Sequence, residues 1–212
     1  MTDMIDKIYR IYRLIMGRNR DPIHPMMTRH CEEVTSHYVT VWGNQPRVKR
    51  WQIGPTAELP DGFCVLEFPP TKTRPMWVYA TCCMSHHGDT DRLELHLFSP
   101  VQYEPHVELL TVICHYHQTG SSLGLGHTVN FGRPWTDGSR CDHGLISLPY
   151  VDGPKLEHYG STTAGSYVRF LWILPITKAE REYKKAFGVE ALEGKFDEPP
   201  VEFLNPVRQS VV

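Results

Sequence analysis

The chain has 212 residues, 41% of them hydrophobic and 22% charged, with a formal net charge of −2. That length supports a real hydrophobic core, and the even charge balance excludes the broad basic surface by which proteins hold phosphate backbones or acidic lipid, so neither nucleic acid nor a membrane is an expected partner. The start lacks a basic stretch followed by an apolar signal core, and the longest apolar runs, such as 168–174, are too short to span a bilayer, which predicts a cytoplasmic protein.

In chain order, residues 4–16 place Ile5, Ile8, Tyr9, Tyr12 and Ile15 on one face and predict an amphipathic opening helix that Gly17 ends. After Pro22 and Pro25, the spacing of Val34, His37, Tyr38, Val41 and Trp42 predicts a second helix, stopped by Gly43-Asn44. Residues 48–53, 63–68, 76–84 and 93–98 are short, rich in aromatic or β-branched side chains and bounded by Pro, Gly or Asp, which is how strands read. In the last of these, Glu94 and His96 alternate with Leu93, Leu95 and Leu97, predicting one buried face.

Pro105 opens a central helix carrying Val107, Leu110, Ile113, Cys114 and His117, and Gly120 closes it. Between Gly120 and Gly144 the glycines and Pro134 predict loops, with a short strand near 128–131. Residues 167–174 form the most apolar strand, expected to be central and buried on both faces. Thr177-Lys178-Ala179-Glu180 is a capping box opening a helix with Ala179, Tyr183 and Ala186 on its inner face, and a further short helix is expected over 190–196 before an extended tail. The expected class is α+β, a mixed and largely antiparallel sheet flanked by helices in a single domain over 1–212. It divides into a helical segment of about 1–45, a sheet-containing core of about 48–176, and C-terminal helices and tail over 177–212.

The candidate chemistry is incomplete. Six cysteines, at 31, 64, 82, 83, 114 and 141, show no repeated CxxC spacing in a chain too large to need staples; they are expected to be reduced and mostly buried. His115 and His117 point apart on a helix, and Cys82 and Cys83 point to opposite sides of a strand, so neither pair clamps a metal ion. A loop-assembled zinc site from His127, Cys141 and His143 is the metal alternative. Gly120-Ser121-Ser122-Leu123-Gly124 satisfies GxSxG but lacks a strand before and a helix after, so the strained elbow that presents a nucleophilic serine is missing. Gly124-Leu125-Gly126 lacks the third glycine of a dinucleotide loop. No catalytic residue, resident metal or cofactor is therefore assigned. What remains is the glycine-rich stretch, where His127, Asn130, Arg133, Trp135, Asp142, His143 and Tyr150 are candidate partner-binding residues on permissive backbone. For Trp135 and Tyr150 the competing reading is a plug beneath the loops.

Several longer stretches carry a resemblance. Residues 51–55, 76–81, 94–98 and 127–135, together with Cys141-Asp142-His143, Leu148-Pro149-Tyr150, 168–177, 179–183 and Phe203-Leu204 onward, resemble the bacterial branch of the suppressor of fused domain family. The resemblance runs from about Val48 to the C-terminus and implies a mixed sheet flanked by helices and a non-enzymatic role. Animal members sequester Gli transcription factors, whereas bacterial members are associated with polymorphic toxin systems as immunity proteins. Without the second domain that completes the Gli-gripping cleft, Gli-like recognition is not expected. The leading expectation is a monomeric or weakly dimeric protein that binds and neutralises a cognate toxin domain. The alternatives are a hydrolase using Ser122 or the loop zinc, and a scaffolding subunit.

Overall fold

The structure, a computed structural model, describes residues 29–54, 56–85, 92–161, 166–198 and 200–212. The opening helix expected over 4–16, with Gly17, Pro22 and Pro25, lies outside the described residues. Helix α1 (Arg29–Trp42) buries Val34, Tyr38 and Trp42 of the predicted stripe, with His37 and Val41 half-buried beside them, and buries His30 and Cys31 as well. Gly43 stops it with φ +73°, its amide donating to the Val39 carbonyl at 2.8 Å.

The chain then enters the sheet through β1 (Arg47–Lys49), β2 (Cys64–Phe68), β3 (Trp77–Cys82) and β4 (Leu93–Ser99), an antiparallel meander. Helix α2 (Pro105–Thr119) begins at the expected proline, and the Gly120 amide caps it on the Tyr116 carbonyl. The loops that follow hold β5 (Thr128–Asn130) and β6 (His143–Ser147), then a single turn α3 (Pro154–Glu157), β7 (His158–Ser161) and the long β8 (Ser166–Ile176). Helices α4 (Lys178–Phe187) and α5 (Val189–Asp197) precede the tail. The strand order is β1-β2-β3-β4-β8-β6-β5, with β7 paired to β8 off this path. Among the described residues only the β4 to β8 pairing is parallel, so the sheet is mixed and mostly antiparallel, as expected.

Both faces of the sheet are covered. One face packs Leu66, Val78, Phe98, Phe170 and Trp172 under α1 and α5, and the other packs Tyr79, Leu95, Leu97, Leu171 and Ile173 under α2. This explains why β8 reads as a continuous apolar run, and it corrects the expectation of one buried face for β4. Glu94 and His96 are as inaccessible as the leucines between them, because α1 closes the second face. Glu94 accepts from Thr81 Oγ1 and Ser85 Oγ, each at 2.6 Å, and burial pushes its carboxyl above the usual range.

Two further expectations need correction. Cys31 and Cys83 are joined by a disulfide rather than reduced, although all six cysteines are buried as expected. β3 ends at Cys82, and Cys83 takes φ +66°, so strand alternation no longer governs where its sulfur points. In α4 the capping box forms, but Ala179 and Ala186 face solvent and the buried residue is Glu180. A carboxylate occupies the inner face because Arg208 of the tail meets it there, Nη1 to Oε1 at 2.6 Å and Nη2 to Oε2 at 2.8 Å. The tail itself is a series of turns that packs Val201, Phe203, Leu204 and Val211 on the core.

β6 is the strand with the weakest sequence signal, since Gly144 and Ser147 lack strand propensity. Its glycine has a packing cause: a Cβ at position 144 would lie 2.5 Å from Ile173 Cγ2 and 2.7 Å from the Phe131 ring, so only glycine lets β6 lie against β8 here.

Candidate partner-binding surface

The glycine-rich stretch is an ordered platform. The Cys141 and Asp142 carbonyls accept from the amides of Trp135 (2.8 Å) and Phe131 (2.9 Å), so the Cys141-Asp142-His143 turn clasps the preceding loop. Arg133 is tied to the start of α2, with Nη1 2.8 Å from Glu108 Oε2 and Nη2 donating to the Pro105 carbonyl at 2.8 Å. Asn130 accepts from the Gly132 amide at 2.8 Å, and His143 Nδ1 lies 2.6 Å from Asp142 Oδ1. Trp135 is 2% exposed, stacked beside His106, and takes the plug role rather than the anchor role. His143 is buried as well, so neither ring meets solvent. Burial, together with the Arg133 cation, pushes the His106 imidazole down to about 3.

Of the predicted set, His127 and Tyr150 project from the surface at the far end of β6, whereas the part-exposed Asp142 precedes the start of that strand. His127 and Tyr150 belong to a surface that the sequence did not reveal as one. Val189 and Glu193 lie one turn apart on one face of α5. Val189 backs the Gly126 turn, where an added Cβ would meet its Cγ2 at 3.0 Å. Glu193 accepts from Ser147 Oγ at 2.7 Å and from Tyr150 Oη at 3.4 Å. One helix thus braces both the Leu125–His127 loop and the Tyr150–Val151 turn. The exposed apolar side chains on these segments are Leu125 (43%), Tyr150 (59%) and Val151 (42%), and Phe187, 66% exposed, stands just before the same helix. Leu125, Val151 and Phe187 escape sequence reasoning because single apolar residues in loops and at helix ends normally read as buried.

A cavity of about 290 Å³ adjoins this surface through His127 and is lined also by Ser122, Arg92, Arg169 and Tyr167. Ser122 and His127 share its wall, yet no hydrogen bond joins them among the described residues, and α2 precedes the serine where a hydrolase elbow needs a strand. The loop zinc alternative is not assembled among the described residues: Cys141 is buried, its thiol pushed up to about 11 chiefly by that burial, while His127 stands in the solvent. The described sulfurs that do converge are those of Cys31, Cys82 and Cys83, within 4.8 Å of one another and fully enclosed. The disulfide takes up two of these three sulfurs, so they fit a thiolate metal site only after reduction. His115 meets Glu58 and His117 accepts from the Leu123 amide, so the two rings part as their helical spacing requires.

The family model for suppressor of fused protein (SUFU) matches residues 60–209. A SUFU homologue from Neisseria gonorrhoeae FA 1090 is 35% identical, with a TM-score of 0.76, over 86% of this chain and 97% of that one. The chain of the Sufu-Fu complex crystal structure is 16% identical with a TM-score of 0.60, covering 86% of this chain and 92% of that one. Drosophila Suppressor of Fused, also 16% identical with a TM-score of 0.60, is matched over 91% of this chain, which spans 54% of the fly chain. At that identity these two matches establish the fold alone. Among curated proteins none matches. No helix of the described residues is long and apolar enough to cross a membrane.

Proposed function

The chain belongs to the suppressor of fused family, and from that premise we propose that it is a non-enzymatic protein-binding module, an immunity protein that binds and neutralises a cognate bacterial toxin domain. The observation that carries the binding role is the set of exposed apolar side chains Leu125, Tyr150 and Val151 on two segments that α5 braces from beneath. Exposed aromatic and aliphatic groups held on ordered backbone are the anchors that interfaces use, because little conformational freedom is lost when they are covered. Support for a protein ligand also comes from a distant fold relative that was crystallised as a complex, Sufu-Fu. The toxin assignment rests on the association of bacterial members with toxin systems.

Co-expression tests the reading. A toxin domain encoded beside this chain should arrest growth alone and be tolerated when the chain is present, with the two proteins co-purifying. Tyr150→Ala should weaken the complex by about 2 kcal/mol. Growth arrest that the chain never relieves, across the toxin domains of its neighbourhood, refutes the immunity role, and a chain that also captures none of them refutes this surface as a toxin interface.

A further inference from the structure

We propose that Cys31, Cys64, Cys82 and Cys83 form a closed four-thiolate zinc site between α1 and the sheet when the disulfide is reduced. The cluster begins with backbone. Cys64 of β2 and Cys82 of β3 are partners in register, so their side chains rise together on the face that α1 covers. Cys83 would point to the other face on a continuing strand, but it is the one non-glycine residue at positive φ among the described residues, and its sulfur joins the same side. Cys31, in the first turn of α1, comes down on them, and the sulfurs of Cys31, Cys82 and Cys83 lie within 4.8 Å of one another. Cys64 is hydrogen-bonded to Cys82, which makes it the fourth sulfur. Zinc–sulfur bonds of about 2.3 Å in a tetrahedron set sulfurs roughly 3.8 Å apart, so with the S–S bond open the three converging sulfurs are already near the spacing that zinc imposes.

A disulfide by itself accounts for two of the four sulfurs; the other two are thiols enclosed with it. The Cys82 hydrogen bond outweighs burial and, with the Arg50 cation, holds the Cys64 thiol below its usual value, while the proton they share rests on Cys82. Arg50 Nη1 is buried with no hydrogen-bond partner among the described residues, so the cation that acts on Cys64 has a donor unmet. Thr35 Oγ1 lies 3.5 Å from Cys82 Sγ and can donate to it as a thiolate. The opposing charge is Glu94, whose carboxyl burial pushes toward the neutral form. Loading takes two balanced steps. A dithiol reductant passes two electrons and two protons to the Cys31–Cys83 bond, giving two thiols and becoming a disulfide itself. Zn²⁺ then displaces the four thiol protons, so metal and disulfide exclude each other. The site needs no protein partner, and its test is independent of the immunity reading.

Refolding the full chain with zinc sulfate under a phosphine reductant, which supplies the electrons without competing for the metal, tests this; bound zinc is measured after gel filtration, with the oxidised chain treated alike. One zinc per reduced chain and none per oxidised chain is expected, and cobalt(II) in its place should give thiolate charge-transfer absorption. Cys64→Ser and Cys82→Ser keep both disulfide partners, so their folding is checked by circular dichroism in the oxidised form. Each should weaken zinc at least about tenfold, whereas Cys114→Ser, in the core on the other face of the sheet, should leave it unchanged. A reduced chain that takes no zinc, equal retention by the oxidised chain, binding that Cys64→Ser and Cys82→Ser leave intact, or an equal loss with Cys114→Ser would overturn the proposal.

Discussion

Replacing Arg208 with Met isolates the interaction that locks the C-terminal tail to the body. Arg208 makes a two-point contact with Glu180 and donates through Nη2 to the Pro175 carbonyl at 3.0 Å, so one side chain joins the end of β8, the first turn of α4 and the tail. Glu180 is fully buried and also accepts from the Thr177 and Val211 amides at 2.7 and 3.1 Å. Removing the cation strands a buried carboxylate, at a cost of about 3–5 kcal/mol. For a domain of this size that is a fall in melting midpoint of roughly 6–20 °C. Burial pushes the Glu180 carboxyl up, but the Arg208 guanidinium and the Thr177 and Val211 amides outweigh it and hold it below its usual value. A depressed folded pKa means that this contribution is complete above the ordinary carboxyl value and is lost as the pH falls through the folded one. The gap between parent and Arg208→Met should therefore be widest near neutrality and shrink in acid, where the stranded carboxylate takes up a proton. Urea unfolding followed by tryptophan fluorescence across that range measures it. A gap under about 1 kcal/mol at neutral pH, or one that widens in acid, refutes the reasoning.

Three other outcomes follow from the same structure. The Cys31–Cys83 disulfide closes a separation of 52 residues, so Cys31→Ala with Cys83→Ala should destabilise by up to about 4 kcal/mol in denaturant melts, and intact mass under non-reducing alkylation should show four free thiols in the parent. His106 stays neutral down to about 3 while the unfolded chain protonates near 6.5, so stability should fall by about 1.4 kcal/mol per pH unit over that interval; His106→Phe should flatten the slope, and an unchanged slope counts against it. Trp135→Ala and Tyr150→Ala should separate cleanly, the first costing about 3–5 kcal/mol of folding stability and the second leaving the thermal midpoint near the parent while weakening the partner complex.

Local chemistry was legible in the residues alone. The 3.6-residue stripe of α1, Pro105 and Gly120 at the two ends of α2, the apolar run of β8 and the capping box at Thr177 each depend on neighbours within a few positions, and each stands where its pattern puts it. The family was legible for the same reason, since contiguous stretches carry it. Tertiary structure decided whatever depends on residues far apart in the chain. Burial of Glu94 follows from α1 closing the second face of the sheet, and the strand at His143–Ser147 exists because Gly144 fits against Ile173 and Phe131. Burial of Glu180 needs Arg208, and the disulfide needs a positive φ at Cys83. The candidate surface belongs to this second group: α5 supports loops more than 40 residues before it, so which aromatic faces water, Tyr150 rather than Trp135, is settled by packing, and a sequence pattern records only that both are aromatic.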